Sequence, residues 1–404
     1  MTVTVEVERV HSLLEAFSEI GATSRGGVTR LTATEEDAAA RVHLREWGEA
    51  RGLKHRVDAV GNQFLRWDPQ NTGRPALLLG SHLDSQPTGG RFDGTLGIVV
   101  AMVVLESLAR AGHAMHHPVE LVNWTNEEGA RFAPAMLGSG VYAGIFDAAS
   151  ARQIVDDHGI SLGAALDAVG WTGSDEVRPS EHLAYLELHI EQGPVLEKAG
   201  FAVGNVVGVQ GIRWYDAIFE GEETHAGPMP MAQRKDPIRD FFRTIHPFYE
   251  LVCNDDQARL TIGTLDSPNR SRNTVPSRLT VSLDLRHPEA QHLDTLERAL
   301  KQHMAQCANA TLNPVWSAAP VRFDDRPYTA IRRAAMRLSM PMMDLVSGAG
   351  HDAVHVSRVV STGMIFVRCR DGLSHHPAEF VDDEAIAQGA QLFMEAVMQL
   401  DALL

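Results

Sequence analysis

The run "PALLLGSHLDSQPTGGRFDGTLGIVVAMVVLESLARAG", residues 75–112, constrains the fold more than any other part of the chain. A short apolar stretch closed by glycine reads as a strand, and Leu96 to Leu105 is apolar on every helical face, so it reads as a helix buried on all sides. A second apolar run follows in "HPVELVNWTNEEGA". The order is β-α-β, whose right-handed crossover makes the strands parallel. His82 and the doublet Glu127–Glu128 then emerge together from the carboxyl ends of strands, where open α/β sheets bind ligands. Two later segments end in the same way: "HLAYLELHIEQG" delivers His189, Glu191 and Gln192, and "TGMIFVRCRDGLSHH" delivers His375 and His376. Helical periodicity marks 7–20 and 35–51, and a closing helix spans 382–402.

The rhythm changes from residue 211 to 325. Strand, helix, two strands, helix and strand follow one another, the order of a ferredoxin-like unit. The expected fold class is therefore α/β, a mixed and mostly parallel sheet flanked by helices. Residues 1–210 and 326–404 form the main domain, and 211–325 an inserted α+β domain. Two domains suit 404 residues.

Composition excludes several functions. The net charge of −16 and the lack of any basic run argue against a nucleic-acid surface. Arg270, Arg272 and Arg278 are expected to face solvent. Three scattered cysteines offer neither a disulfide framework nor a metal knuckle, which suits a reducing cytoplasm. The chain starts without an export-type leader and has no apolar run long enough to cross a membrane.

Singly, each candidate has a plain explanation: an acidic turn for "NEEGA", a surface loop for "SHHPAEF", satisfied hydrogen-bonding groups for the histidines. His113, His116, His117, His182, His287 and His303 keep that reading. Convergence changes it for His82, Asp93, Glu128, His189 and His375, because imidazoles and carboxylates on one rim of one sheet form a Zn-like donor set. Five ligands exceed one tetrahedral ion. They suit two divalent ions sharing a carboxylate, with Asp93, in the small-residue turn "GGRFDG", as the bridge. Asp84, two residues beyond His82, is placed to hydrogen-bond the far imidazole nitrogen with its carboxylate. One carboxylate of the Glu127–Glu128 doublet binds metal, and the other serves as general base.

The motifs "GSHLDSQPTGGRFDGTLGIV", "NWTNEEGARF", "HIEQGPVLE", "THAGPMPMAQRKDP", "NTVPSRLTVSLDLRHP", "SGAGHDA" and "GLSHHPAE" closely resemble the hydantoinase/carbamoylase branch of the aminoacylase-type metallopeptidases. The resemblance runs from about residue 60 to 385. It implies an aminopeptidase-like catalytic domain with one metal on His82, Asp93 and His189 and a second on Asp93, Glu128 and His375. Glu127 becomes the general base for a metal-activated water. His375 is preferred to His376 through its spacing to Glu379; by chemistry alone the two are equal. The resemblance also assigns substrate contacts to Gln192, His225, Asn273, Arg286 and the "GAGH" loop with Gly350 and His351, and it makes the inserted domain a lid and homodimerisation unit. His225, Asn273 and Arg286 would reach a neighbouring subunit's cleft. Chemically, Arg286 suits bidentate carboxylate capture, against which stands a structural ion pair with Asp284 or Glu289. The expected activity is hydrolysis of the linear C–N bond of an N-carbamoyl-L-amino acid or related ureido acid. Zn is the favoured metal, with Mn, Co or Ni acceptable. Allantoate or ureidoglycolate amidohydrolase, and an aminoacylase or dipeptidase acting on N-acyl amino acids, are the alternatives.

Overall fold

The computed structural model describes residues 3–269 and 271–404, so Arg270 lies outside the described residues; Arg272 and Arg278 are exposed. The chain divides into two compact units, Met1–Val207 with Phe323–Leu404, and Gly208–Arg322.

The larger unit is built on a mixed sheet. Its central strands lie in the order Val119–Trp124, Ala76–His82, His182–Ile190 and Ser361–Val367, and each neighbouring pair is parallel. Antiparallel strands flank this centre. Gln63–Trp67 and Lys54–Val57 extend one edge, and Val203–Val209 pairs with Ser361–Val367 on the other. Gln63–Trp67 and Lys54–Val57 are short and partly polar, so their pattern does not stand out in the sequence. Register matters more than number: His82 pairs with Trp124 and His189 with Phe366, so the parallel strands end level with one another.

The helix Thr95–Arg110 is buried along nearly its whole length, as its uniform apolarity requires. It lies so close to the sheet that Gly97 has no room for a side chain. A Cβ there would sit 2.3 Å from the Leu188 carbonyl oxygen and 2.9 Å from Ser81 Cβ. Two further helices are started by their own side chains. Thr34 accepts from the Asp37 amide at the head of Glu35–Glu49, and Asp382 accepts from the Ala385 amide at the head of Asp383–Asp401.

The smaller unit is ferredoxin-like. Its four-stranded antiparallel sheet has the order Ala310–Ala318, Gly211–Glu220, Arg278–His287, Arg259–Asp266. Alternation along each strand turns Tyr215, Ala217, Phe219, Val281, Leu283 and Leu285 towards the helices Pro237–Cys253 and Ala290–Ala305. The opposite face carries Trp214, Asp284 and Arg286. A two-stranded ribbon, Thr224–His225 against Thr274–Val275, extends from one end.

The approach at Gly97 generates a test of how tightly the sheet and helix are joined. Gly97→Ala should destabilise the protein by about 1–3 kcal/mol through overpacking against main chain that cannot move aside. Thermal unfolding of the purified variant measures this. An unchanged Tm would mean that the helix stands off the sheet by more than the described distance.

Candidate metal centre

The level strand ends bring His82, Asp93 and His189 together, and beside them Asp93, Glu128 and His375; within each set the ligand atoms lie within 4.8 Å of one another. Asp93 belongs to both. Its Oδ1 is 3.1 Å from His189 Nε2 and 3.8 Å from His82 Nε2, and its Oδ2 is 3.5 Å from His375 Nε2. Glu128 Oε2 is also 3.5 Å from His375 Nε2. Glu127 belongs to neither set, and its Oε2 lies 3.6 Å from His82 Nε2.

Each group is aimed by a neighbour. His189 Nδ1 bonds the Ile190 carbonyl at 2.9 Å, which leaves Nε2 for the centre. Glu379 accepts the amides of Phe92 and Asp93 at 3.0 and 3.1 Å, fixing the turn in which Asp93 sits. Gly94 completes that turn with φ +62, and a Cβ on it would meet the His82 ring at 2.4 Å. Asn126 is left-handed at φ 58, and its side chain donates to the Phe132 carbonyl at 2.7 Å. This bend presents the amides of Glu127 and Glu128 to Asp84, both at 3.2 Å.

That last contact corrects the expected role of Asp84. His82 Nδ1 is held at 2.9 Å by the main-chain carbonyl of Asp84, while the Asp84 carboxylate is 3.8 Å away. The carboxylate is already engaged by three donors, the two amides and Thr32 Oγ1 at 3.1 Å, and so it orders the acidic doublet instead of the imidazole. Between the two adjacent histidines the structure favours His375. His376 Nδ1 accepts from the Ala378 amide at 3.1 Å and stands apart from both sets.

The electrostatics call for a cation. Burial, then the neighbouring acids Asp352, Glu128, Asp84 and Asp93, push Glu127 well above the usual carboxylate range, and burial with Asp93 and Asp84 does the same to Glu128. Burial lowers the His82 pKa to about 4, so this ring is a neutral donor. For His189 burial is outweighed by Asp93, and its pKa rises to about 9. The Nε2 atom of His82 is enclosed yet makes no hydrogen bond, and that of His189 faces only the Asp93 carboxylate at 3.1 Å. Enclosed imidazole nitrogens facing crowded carboxylates are the donors that a divalent ion of the Zn class binds, so the residues fit such an ion. A third grouping, Glu187, His189 and His351, is geometrically close. Two of its members have other partners: Glu187 accepts from Ser81 and Tyr185, both at 2.9 Å, and His351 Nε2 bonds Ser347 Oγ at 3.0 Å.

A model of peptidase family M20/M25/M40 matches residues 78–399. The chain belongs to this family. It is 36% identical over 403 residues to an N-carbamoyl-L-amino-acid amidohydrolase of Rhizobium meliloti, with 98% of this chain and 96% of the relative aligned. It is 33% identical over 401 residues to an allantoate amidohydrolase of Bacillus subtilis, with 96% of each aligned. Among solved structures, an amidase of the hydantoinase/carbamoylase family from Burkholderia multivorans matches with a TM-score of 0.93 at 38% identity, covering 99% of both chains. The M20 family is metal-dependent, and the two sets sharing Asp93 are the candidate ligands here.

The residues expected to touch substrate fall in different places. Gln192, left-handed at φ 57, donates to Asp93 Oδ2 at 2.9 Å and to Ser374 Oγ at 3.3 Å. His351 is only 1% exposed and packs its ring against His189 at 4.5 Å, behind the candidate metal ligands. Gly350 lies in the loop tied down by Ser347. In the smaller unit His225 and Asn273 share the ribbon, where Ala226 N bonds the Asn273 carbonyl at 2.8 Å. Arg286 is not with them. Arg278 pairs with Glu220 at the ribbon end of the sheet, and eight residues of extended chain, about 26 Å, separate it from Arg286. The three therefore do not form one cluster within a single unit. Arg286 forms a bidentate pair with Asp284, at 2.9 Å from Nε and 2.7 Å from Nη2.

Several contributors escaped the sequence reading. Ser374 Oγ bridges Asp93 Oδ2 at 3.2 Å and Glu379 Oε2 at 3.0 Å, and Gln86 Nε2 donates to Glu128 Oε2 at 2.9 Å. Both sit beside recognised motif residues, which is the one signal that could have found them. The histidines left aside are satisfied where partners are seen: His182 between Glu120 and Tyr142, His287 with Asp255, and His116 and His117 on Asp401.

Gly94 supplies the test of this arrangement. Gly94→Ala adds a left-handed strain of about 1 kcal/mol and forces the His82 ring aside. Competition with a chelator should show divalent-metal affinity reduced about tenfold or more, with the circular dichroism unchanged. Unaltered affinity would show that His82 does not need its described position to bind metal.

Proposed function

We propose that this chain is a metal-dependent amidohydrolase that cleaves the linear C–N bond of an N-carbamoyl-L-amino acid or a related ureido acid. The observation that carries the reading is the pairing of two ligand sets through Asp93 with an acidic group, Glu127, left outside both. Its substrate class follows the names of its relatives, aligned over nearly their whole length. We read the centre as binuclear, with Zn favoured and Mn, Co or Ni able to occupy the same donors. Divalent ions supply Lewis acidity to the scissile carbonyl and lower the pKa of a coordinated water to about 7.

The protein's part is proton handling and orientation. Glu127, within reach of the centre yet bound to neither set, takes the proton of the attacking water and returns it to the leaving nitrogen. Asp84 fixes the main chain on which Glu127 stands. For a carbamoyl substrate the products are the amino acid, carbon dioxide and ammonia. The allantoate amidohydrolase among the relatives supports a second reading with allantoate as substrate. Ammonia release from a panel of N-carbamoyl-L-amino acids, β-ureidopropionate, allantoate, ureidoglycolate and N-acetyl amino acids separates the two. The three free cysteines, one of them exposed, suit a cytoplasmic setting. Among the described residues no helix is long and apolar enough to cross a membrane.

We assign substrate contacts to Gln192, His225, Asn273 and Arg286, and we propose a homodimer assembled through the smaller unit. The separation of Arg286 from the His225–Asn273 ribbon supports a dimer: one copy cannot offer both to a single substrate, whereas two copies can. The Arg286–Asp284 pair is the competing, structural use of the guanidinium.

Replacing Glu127 by Gln removes proton transfer but keeps size and polarity, so kcat should fall by about 10²-fold or more with metal content retained on elemental analysis. Loss of metal instead would exchange the roles of Glu127 and Glu128. Subunit exchange then tests the dimer. Glu127→Gln chains are mixed separately with His225→Ala and with Arg286→Ala chains, each inactive alone. Only a group supplied by the partner can restore a cleft that also holds a native Glu127, so one mixture should recover activity and the other should not. Recovery in neither would end the shared-site reading, and recovery in both would assign both groups to the partner and overturn the division of roles drawn from their separation.

A further inference from the structure

The family match begins at residue 78, yet the metal centre leans on a segment that precedes it. Residues 27–32 run antiparallel to the loop that follows His82. Val28 and Gly89 exchange both main-chain hydrogen bonds at 3.1 Å, and the Ser85 amide bonds the Arg30 carbonyl at 2.9 Å. Thr29 Oγ1 reaches the Pro87 carbonyl at 2.7 Å, and Thr32 Oγ1 reaches Asp84 Oδ2 at 3.1 Å. Gly27 is pressed between two site loops: a Cβ there would lie 2.3 Å from the Gly89 oxygen and 2.8 Å from Pro377 Cα, two residues beyond His375.

Arg30 is the centre of this segment and is 2% exposed. Every nitrogen of its guanidinium is used. Nε donates to the Leu83 carbonyl at 2.6 Å, Nη1 to the carbonyls of Phe17 and Ile20 at 2.9 and 3.1 Å, and Nη2 to Thr95 Oγ1 at 2.9 Å. One rigid fork thus ties Leu83, flanked by His82 and Asp84, to Thr95, two residues after Asp93. A lysine has one flexible head and cannot span the same acceptors. Burying a cation with no carboxylate hydrogen-bonded to it is expensive unless the acceptors around it are fixed, so the fork and the loop hold each other in place.

Resting on the metal-binding reading above, we propose that Arg30 is a positioning residue for the metal centre, setting the separation of His82 from Asp93 through Leu83 and Thr95. It touches no ligand atom itself. Its effect therefore belongs in metal affinity and coordination geometry.

The experiment titrates metal-free protein with Co²⁺, reading affinity by chelator competition and geometry by the visible absorption of the cobalt-loaded protein. Wild type is compared with Arg30→Lys, Thr95→Val and Thr95→Ser, and the Tm of each metal-free form is recorded. Thr95→Val removes a single Arg30 contact at nearly constant shape, which guards against the case in which the Arg30 variant fails to fold. Expected are about tenfold or greater losses of Co²⁺ affinity in Arg30→Lys and Thr95→Val, an altered cobalt spectrum, and recovery in Thr95→Ser. The metal-free Tm of Thr95→Val should stay near that of wild type. Wild-type affinity and spectrum in Thr95→Val overturn the proposal, as does a loss that follows the metal-free Tm and is not recovered by serine. If wild type itself binds no Co²⁺, the metal reading falls and takes this proposal with it.

Discussion

A carboxylate placed among three imidazoles and two further acids, at the buried end of a sheet, is the constraint around which the larger unit is organised. Asp93 is 6% exposed, and burial alone would favour its protonated form; the facing His189, His82 and His375 reverse this and hold it well below the usual carboxylate range. The surrounding contacts keep this one group in place. Glu379 fastens its amide, Gly94 lets the chain turn beside the His82 ring, and the helix beginning at Thr95 carries the chain straight into the core. Moving Asp93 by a fraction of a bond length would disturb both ligand sets, because it belongs to both.

The parts of this arrangement that were legible in the sequence were those that follow from strand direction. Parallel strands must end on one side, so His82, the Glu127–Glu128 doublet and His189 were bound to meet once the β-α-β order was recognised. The inserted unit was legible for a similar reason, since its helix and strand periodicities alternate cleanly. Choices between chemically equal neighbours were not legible from chemistry alone, and His375 was preferred only through the resemblance. His375 and His376 differ in their surroundings and not in their chemistry. The spacing of Asp84 to His82 does not say whether the carboxylate or the carbonyl makes the bond, and the expected carboxylate contact is made by the carbonyl.

Least legible were Arg30 and Arg41, two buried cations whose partners are mainly carbonyls and hydroxyls. Arg41 bonds Asp37 at 2.9 Å and also the Gly61 carbonyl at 2.6 Å and Thr125 Oγ1 at 3.2 Å, beneath the turn that leads to Glu127. A charged residue near the amino end of a chain carries no periodic signal and reads as solvated. Its burial is decided by main-chain atoms that become adjacent only after folding. The position of Arg286 far from His225 has the same origin, for it is a matter of strand length and register and not of residue type.

The two ligand sets also differ in how they meet water. His82 and His189 are each 1% exposed at the side chain, whereas His375 is 50% exposed and sits on a left-handed residue at the rim. The enclosed imidazoles can be displaced only when the strand ends part, which ties them to opening of the core. His375 needs no such opening, because its ring can swing outward alone. The rim of the site can therefore meet solvent while the strand ends beneath it stay closed.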